Sequence, residues 1–151
     1  MKWRIIICIY TTLLCLNNVF SQTNKADKIL GIWLTGSTNG KVEIYKCGDK
    51  YCGKIVWMKN PTYEDGTPKM DKHNPDESKR SNRTMGLVML SGFNYDEDME
   101  WEDGEIYDPD DGKTYSCQLT LLENKQILEV RGYIGIPLFG RTEEWIKSSL
   151  H

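Results

Sequence analysis

Histidine is nearly missing from this chain, with two in 151 residues: His73 in a polar stretch and His151 as the final residue. Serine and cysteine nucleophiles are usually activated by a positioned base, and neither histidine neighbours a nucleophile in sequence. Basic residues are scattered singly among acids, with no stripe to release counterions from a phosphate backbone, which argues against a nucleic-acid partner. Long apolar runs are lacking as well. The continuous stretch Ile5 to Leu16 falls short of the about 20 residues that cross a bilayer, and no later segment supports a long helix. No catalytic residue, metal ligand set or cofactor is therefore assigned, and an enzyme is not the expectation.

The first residues read as a signal peptide. Lys2 and Arg4 give a positive start, Ile5 to Leu16 an apolar core, and "NNVFSQ" a cut after Ser21. Lipid attachment at Cys15 is the competing reading, but Leu14 is bulky where a lipoprotein signal has a small residue. The expected organisation is 1–21 as leader and 22–151 as one domain, periplasmic or secreted, with no stable membrane insertion after cleavage. Loss of Lys2 and Arg4 takes the formal net charge from −3 to −5, a solvated acidic surface.

Cys8 and Cys15 leave with the leader, so three of five cysteines remain. Cys47 and Cys52 flank a Gly-Asp turn in "YKCGDKYCGKIV", where strands folding back bring them face to face at disulfide distance. Export favours oxidation. A loop this short contributes about 2 kcal/mol by chain entropy, so it pins hairpin register more than it holds the fold. A redox pair or half zinc site is the weaker reading, because four residues intervene and no second Cys/His pair exists. Cys117 lies in an alternating run and is expected as a buried small hydrophobe.

Beyond the leader, "TNKADKILG" makes a short helical turn, capped by Asp27 or Asn24 and stopped at Gly31. The remainder is β. "KVEIYKC" places Val42 and Ile44 on one face, with Glu43 and Tyr45 on the other. "KTYSCQLTLL" sets Tyr115, Cys117, Leu119 and Leu121 against Ser116, Gln118 and Thr120. "TMGLVMLSGF" is uniformly apolar, as in a strand covered on both faces or leading into a buried bend. Asp103-Gly104 and Asp111-Gly112 are read as hairpin and turn signals. About eight strands in sequence order describe an antiparallel meander, and closure into an up-and-down barrel removes its edges. The polar segment Lys59 to Arg83 is too long for an ordinary connection. It holds a helix start in "NPDESKRS", with Asn74 as cap, Pro75 at the first position and Glu77 reaching back. This loop is either a lid over a barrel mouth or a surface Ω-loop.

Gly31-Ile32-Trp33, opening a strand after a short turn, resembles the start of the lipocalin superfamily. In that family the tryptophan packs across the closed barrel end under an arginine from a late strand. The resemblance gives Gly31 and Trp33 this structural role and makes Arg141 in "FGRTEEW" the partner, with Arg131 in "EVRGY" as the alternative. Guanidinium stacking on an indole face is the physical reason. The segments "VEIYKCGDKYCGKIVWMKNP", "DKHNPDESKRS", "WEDGEIYDPDDGKTYSCQL" and "VRGYIGIPLFGRTEEW" are similar to a bacterial exported family known as domain of unknown function 2147. That resemblance implies a lipocalin-like barrel and carries no established reaction. Asn82-Arg83 stand where the commoner pattern has Arg-Pro, which bears on the loop's path after Arg80.

"DPDDGKTY" fails the EF-hand spacing, since Gly112 follows Asp108, Asp110 and Asp111 one place too early. Asp71, Asn74 and Asp76 make a weaker cation reading, for which capping by Asn74 is the simpler account. Of the strand acids Glu43, Glu100, Glu102, Glu143 and Glu144, any that faced inward would matter. The strand aromatics either fill the barrel or line a pocket, and Trp57, Trp101, Tyr107 and Tyr115 are the candidates for ligand binding. The leading expectation is a non-enzymatic exported protein carrying or sensing a small apolar or amphipathic, hydrophobic molecule. An envelope protein–protein interaction module and a barrel enzyme with buried carboxylates are the rivals. Intact-mass measurement of the protein recovered from expressing cells is expected to show removal of residues 1–21 and two hydrogens fewer than the reduced chain.

Overall fold

The computed structural model describes residues 25–151. The leader, its cut site and Asn24 lie outside the described residues. Eight antiparallel strands run in sequence order and close into a barrel. They are β1 (Gly31–Leu34), β2 (Gly40–Cys47), β3 (Lys50–Met58), β4 (Val88–Tyr95), β5 (Glu100–Asp108), β6 (Lys113–Leu121), β7 (Ile127–Tyr133) and β8 (Arg141–Ser148). Three single 3-10 turns, at Asp27–Ile29, Glu77–Lys79 and Pro137–Phe139, are the other elements. Closure runs through β1, which pairs with β2 on one side and with β8 on the other, Trp33 standing opposite Lys147.

The expected alternation holds in β2 and β6. Val42, Ile44, Cys117, Leu119 and Leu121 are buried, and Glu43 pairs with Lys54 on the outer face at 3.1 Å. Cys47 and Cys52 are joined, with Cα atoms 5.9 Å apart. They are diagonal rather than directly opposite, because Cys47 pairs with Lys50 and Cys52 with Tyr45 across the hairpin. Cys117 is a free buried thiol, pushed up to about 12 by burial.

One end of the cylinder is sealed. Trp33 is fully buried and donates its indole N–H to the Ile29 carbonyl at 2.8 Å. The cation above its ring is Lys147, 4.3 Å from the centroid, and the same ammonium donates to the Leu30 carbonyl at 2.7 Å. Arg141, the expected partner, sits at the opposite end of β8. Arg131 donates to the Pro137 and Leu138 carbonyls instead. Burial lowers the Lys147 pKa. Asp27 does not cap the first turn; its carboxylate accepts from Tyr51 at 2.8 Å and pairs with Lys46 at 2.8 Å, binding the turn to the β2–β3 hairpin.

Two further expectations change. Asp103-Gly104 is no hairpin turn but a bulge inside β5, where the register shifts between Trp101 and Gly104 and Asp103 adopts φ 60°. An Asp-Gly pair tolerates positive φ in either setting. Here Gly104 lies under the Phe93 ring, and a Cβ would come within 2.4 Å of it. The cap of the Glu77–Lys79 turn is Asp76, which accepts from the Ser78 amide at 3.1 Å, not Asn74. Asn74 accepts from the Asp76 amide, and Glu77 pairs with Arg80 rather than reaching back.

Gly104→Ala is expected to lower stability by about 1–3 kcal/mol through overpacking against Phe93. The urea midpoint measures it, and adding Phe93→Val to make room recovers part of the loss.

Candidate functional site

The two longest connections, β3–β4 and β7–β8, gather at the end opposite Trp33. Strands β2, β4, β6 and β8 begin there, and the odd-numbered strands end there. The loop between β3 and β4 is the largest feature. It is a folded ribbon: Thr62 bridges Pro68, Met70 bridges Arg83, the Asp71 amide donates to Asn82 at 2.9 Å, and the Thr84 amide donates to Lys69 at 3.0 Å. Its path beyond Arg80 is therefore a return strand-like run through Asn82-Arg83.

The ribbon is fastened to the barrel at two points. Asp71 is fully buried and accepts from the Tyr107 hydroxyl at 2.6 Å and from the Asn74 side-chain amide at 2.6 Å. Burial and the Asp71 carboxylate push the Tyr107 hydroxyl up to about 12. Beside it, the His73 carbonyl lies on Gly112 of the β5–β6 turn so closely that a Cβ there would stand 1.9 Å from the oxygen. Gly112 at φ 72° is thus required twice, for the turn and for the contact. Asp108 and Asp111 accept from the Asp110 and Lys113 amides, ordinary turn chemistry.

Beneath this roof lies a cavity of about 830 Å³. Val42, Ile55, Met89, Ile106, Val130 and Trp145 form an apolar bowl. The rim is polar. Tyr115 donates to Asp111 at 2.8 Å, and Asp108, Arg141 and Glu143 line the mouth. Burial raises the Asp108 pKa, with Asp111, Asp110 and Glu143 adding to it. Trp145 donates to Glu143 at 3.3 Å. Loop residues Tyr63, Met70 and His73 close one side. Among the described residues no three His, Cys, Asp or Glu side chains converge to hold a metal ion.

Of the four expected ligand-binding aromatics, the fold brings Tyr107 and Tyr115 to the cavity, while Trp57 and Trp101 do not line it. Trp57 lies half-buried with the Lys41 ammonium 5.5 Å from its ring centroid. Trp101 is fully buried between Tyr51 and Tyr95, and its indole N–H has no partner among the described residues. Trp145 is the tryptophan of the bowl. The inward run of β8, with Arg141, Glu143 and Trp145 on one side of the strand, was the available signal for it.

A family model described as an uncharacterized protein conserved in bacteria, DUF2147, matches residues 31–147. The chain belongs to this family. Among solved structures, this DUF2147 chain resembles protein HP1028 from the human pathogen Helicobacter pylori, described as belonging to the lipocalin family. The two are 26% identical with a TM-score of 0.69, over 81% of this chain and 84% of the other. No curated protein matches. The lipocalin-like fold of this DUF2147 barrel suggests a ligand-binding protein rather than a catalyst. The disulfide fits a location outside the cytoplasm, and among the described residues no helix is long and apolar enough to cross a membrane.

Tyr107→Phe leaves the buried Asp71 carboxylate one donor short and is expected to cost about 1–3 kcal/mol. Because the folded-state pKa of Tyr107 is raised, its contribution is complete below pH 10 and is lost as pH climbs toward about 12. Denaturant titrations across that window are expected to show a shallower fall for Tyr107→Phe than for the parent, with Tyr51 and Tyr115 contributing equally to both.

Proposed function

We propose that this protein is an exported, non-enzymatic binder of one small apolar or amphipathic molecule, held in the barrel cavity in the periplasm or outside the cell. The cavity carries this reading. Its about 830 Å³ lies within the range of about 300–1,000 Å³ that small-molecule sites occupy, and an apolar base beneath a polar, charged mouth suits a molecule with one end of each kind. The apolar part of the ligand rests against Val130, Met89 and Trp145. Tyr107, Tyr115, Arg141 and the mouth carboxylates meet its polar end. The Lys59–Arg83 ribbon roofs the site. Its anchors at Asp71 and Gly112 make it a fixed wall, so the pocket is preformed and loses little freedom on binding.

The signal-peptide pattern and the Cys47–Cys52 link support export. In this reading the carboxylates of the mouth serve as polar contacts for the ligand.

Titration with 1-anilinonaphthalene-8-sulfonate, followed by energy transfer from tryptophan, tests the reading. One dye per chain is expected, and Met89→Trp, which fills the bowl, is expected to weaken it by at least about tenfold. Native mass spectrometry of protein isolated from expressing cells is expected to show a retained small molecule, absent from Met89→Trp. A parent protein that takes up neither dye nor metabolite refutes the proposal.

A further inference from the structure

The β7–β8 connection carries an exposed apolar cluster outside the cavity lining. Ile134, Ile136, Leu138 and Phe139 project into solvent with exposures of 76, 52, 75 and 78%. They are four of the exposed large apolar side chains and fall within six consecutive residues. Exposed apolar side chains scattered singly are ordinary, whereas a cluster marks an interaction surface.

The loop is built to hold this shape. The Arg131 guanidinium donates to the Pro137 carbonyl at 2.7 Å, to the Leu138 carbonyl at 3.3 Å and to the Thr142 hydroxyl at 2.6 Å. The Phe139 amide donates to Ile136, and the Gly140 amide donates to Pro137. Carbonyls 136, 137 and 138 are thereby met by loop amides and by the Arg131 guanidinium of β7, and Pro137 has no N–H to satisfy. Each carbonyl met in this way lowers the cost of bringing the apolar tip against hydrocarbon.

We propose that this loop inserts into the surface of a bilayer of zwitterionic phospholipids, setting the open end of the barrel against the membrane. Size favours lipid over a protein partner. A specific protein interface engages about 20–30 residues a side, and the apolar patch on this loop is far smaller, whereas a few apolar side chains suffice to anchor in a lipid interface. Charge selects the lipid. The chain is acidic, at −3 overall, and the loop's end of the barrel carries both signs, Asp108, Asp110 and Glu143 beside Lys69, Lys72 and Arg141, so it offers no basic patch to anionic headgroups and matches the paired charges of a zwitterionic surface. This inference does not depend on what the cavity holds, since Leu138 and Phe139 are not among its lining residues.

Co-sedimentation of the protein isolated from expressing cells with phosphatidylcholine vesicles tests it. The parent is expected to pellet with the vesicles, equally at low and high salt. Leu138→Asp/Phe139→Asp is expected to reduce the partition by at least about tenfold. Both side chains are exposed, so the variant is expected to keep the parent's circular dichroism and its 1-anilinonaphthalene-8-sulfonate binding. It carries the same N-terminus, so any contribution from residues 1–21 cancels. The proposal is overturned if the parent stays in the supernatant or the variant pellets as well as the parent. It is also overturned if binding occurs only to phosphatidylglycerol-containing vesicles and vanishes in salt. Sedimentation equilibrium supplies one more overturning outcome, a parent dimer that the double substitution dissociates.

Discussion

Trp33 is held by two carbonyls' worth of chemistry, and the barrel's asymmetry follows from it. Its indole N–H takes the Ile29 carbonyl, and the Lys147 ammonium lying over the ring takes the Leu30 carbonyl. Buried carbonyls left unpaired cost roughly 2–7 kcal/mol each, depending on the reference solvent. Meeting them through one tryptophan and one lysine joins the first turn, β1 and β8 at a single point. Asp27 adds the β2–β3 hairpin to the same cluster through Tyr51 and Lys46. With that end closed, the long connections collect at the other.

Side-chain volume divides along the same axis. Trp33, Trp101, Phe93, Leu119 and Leu128 fill the sealed half and are fully buried. Toward the mouth the walls pass to Val42, Ile55, Met58, Met89 and Val130, which are thinner or more flexible, and no side chain fills the space between them. An eight-stranded barrel is at the size where side chains can fill the interior or leave room for one small molecule. This chain does each in one half. Glycine enters where a neighbour crowds the wall, as Gly104 does beneath Phe93.

The sequence announces the strands well, because alternation such as Val42–Ile44 or Cys117–Leu119–Leu121 needs one buried face and nothing else. Other features depend on register, which a local pattern does not carry. Asp103-Gly104 looks like a hairpin turn because the same tolerance for positive φ suits a bulge. Arg141 and Lys147 both occupy the inward phase of β8, and the pairing of Trp33 with Lys147 decides which cation covers the indole. The pocket aromatics divide for the same reason. Tyr107 and Tyr115 flank the β5–β6 turn at the open end, whereas Trp101 starts β5 deep in the sealed half and Trp57 lies on the outside of β3. Asp71 is the hardest to foresee: an aspartate in a polar loop gives no local sign that it will be wholly buried beneath a tyrosine hydroxyl from β5.

Cys117 gives the free thiol a part in oxidative folding. Among the described residues three sulfur atoms allow three pairings, and the cost of closing a loop grows with its length. Cys47 and Cys52, separated by five positions, therefore meet first while the chain is open. Once β6 is in place the third sulfur is wholly buried and its proton is held far above neutral pH. Exchange requires a thiolate with access to the disulfide, so the correct link is favoured during folding and shielded from reshuffling afterwards.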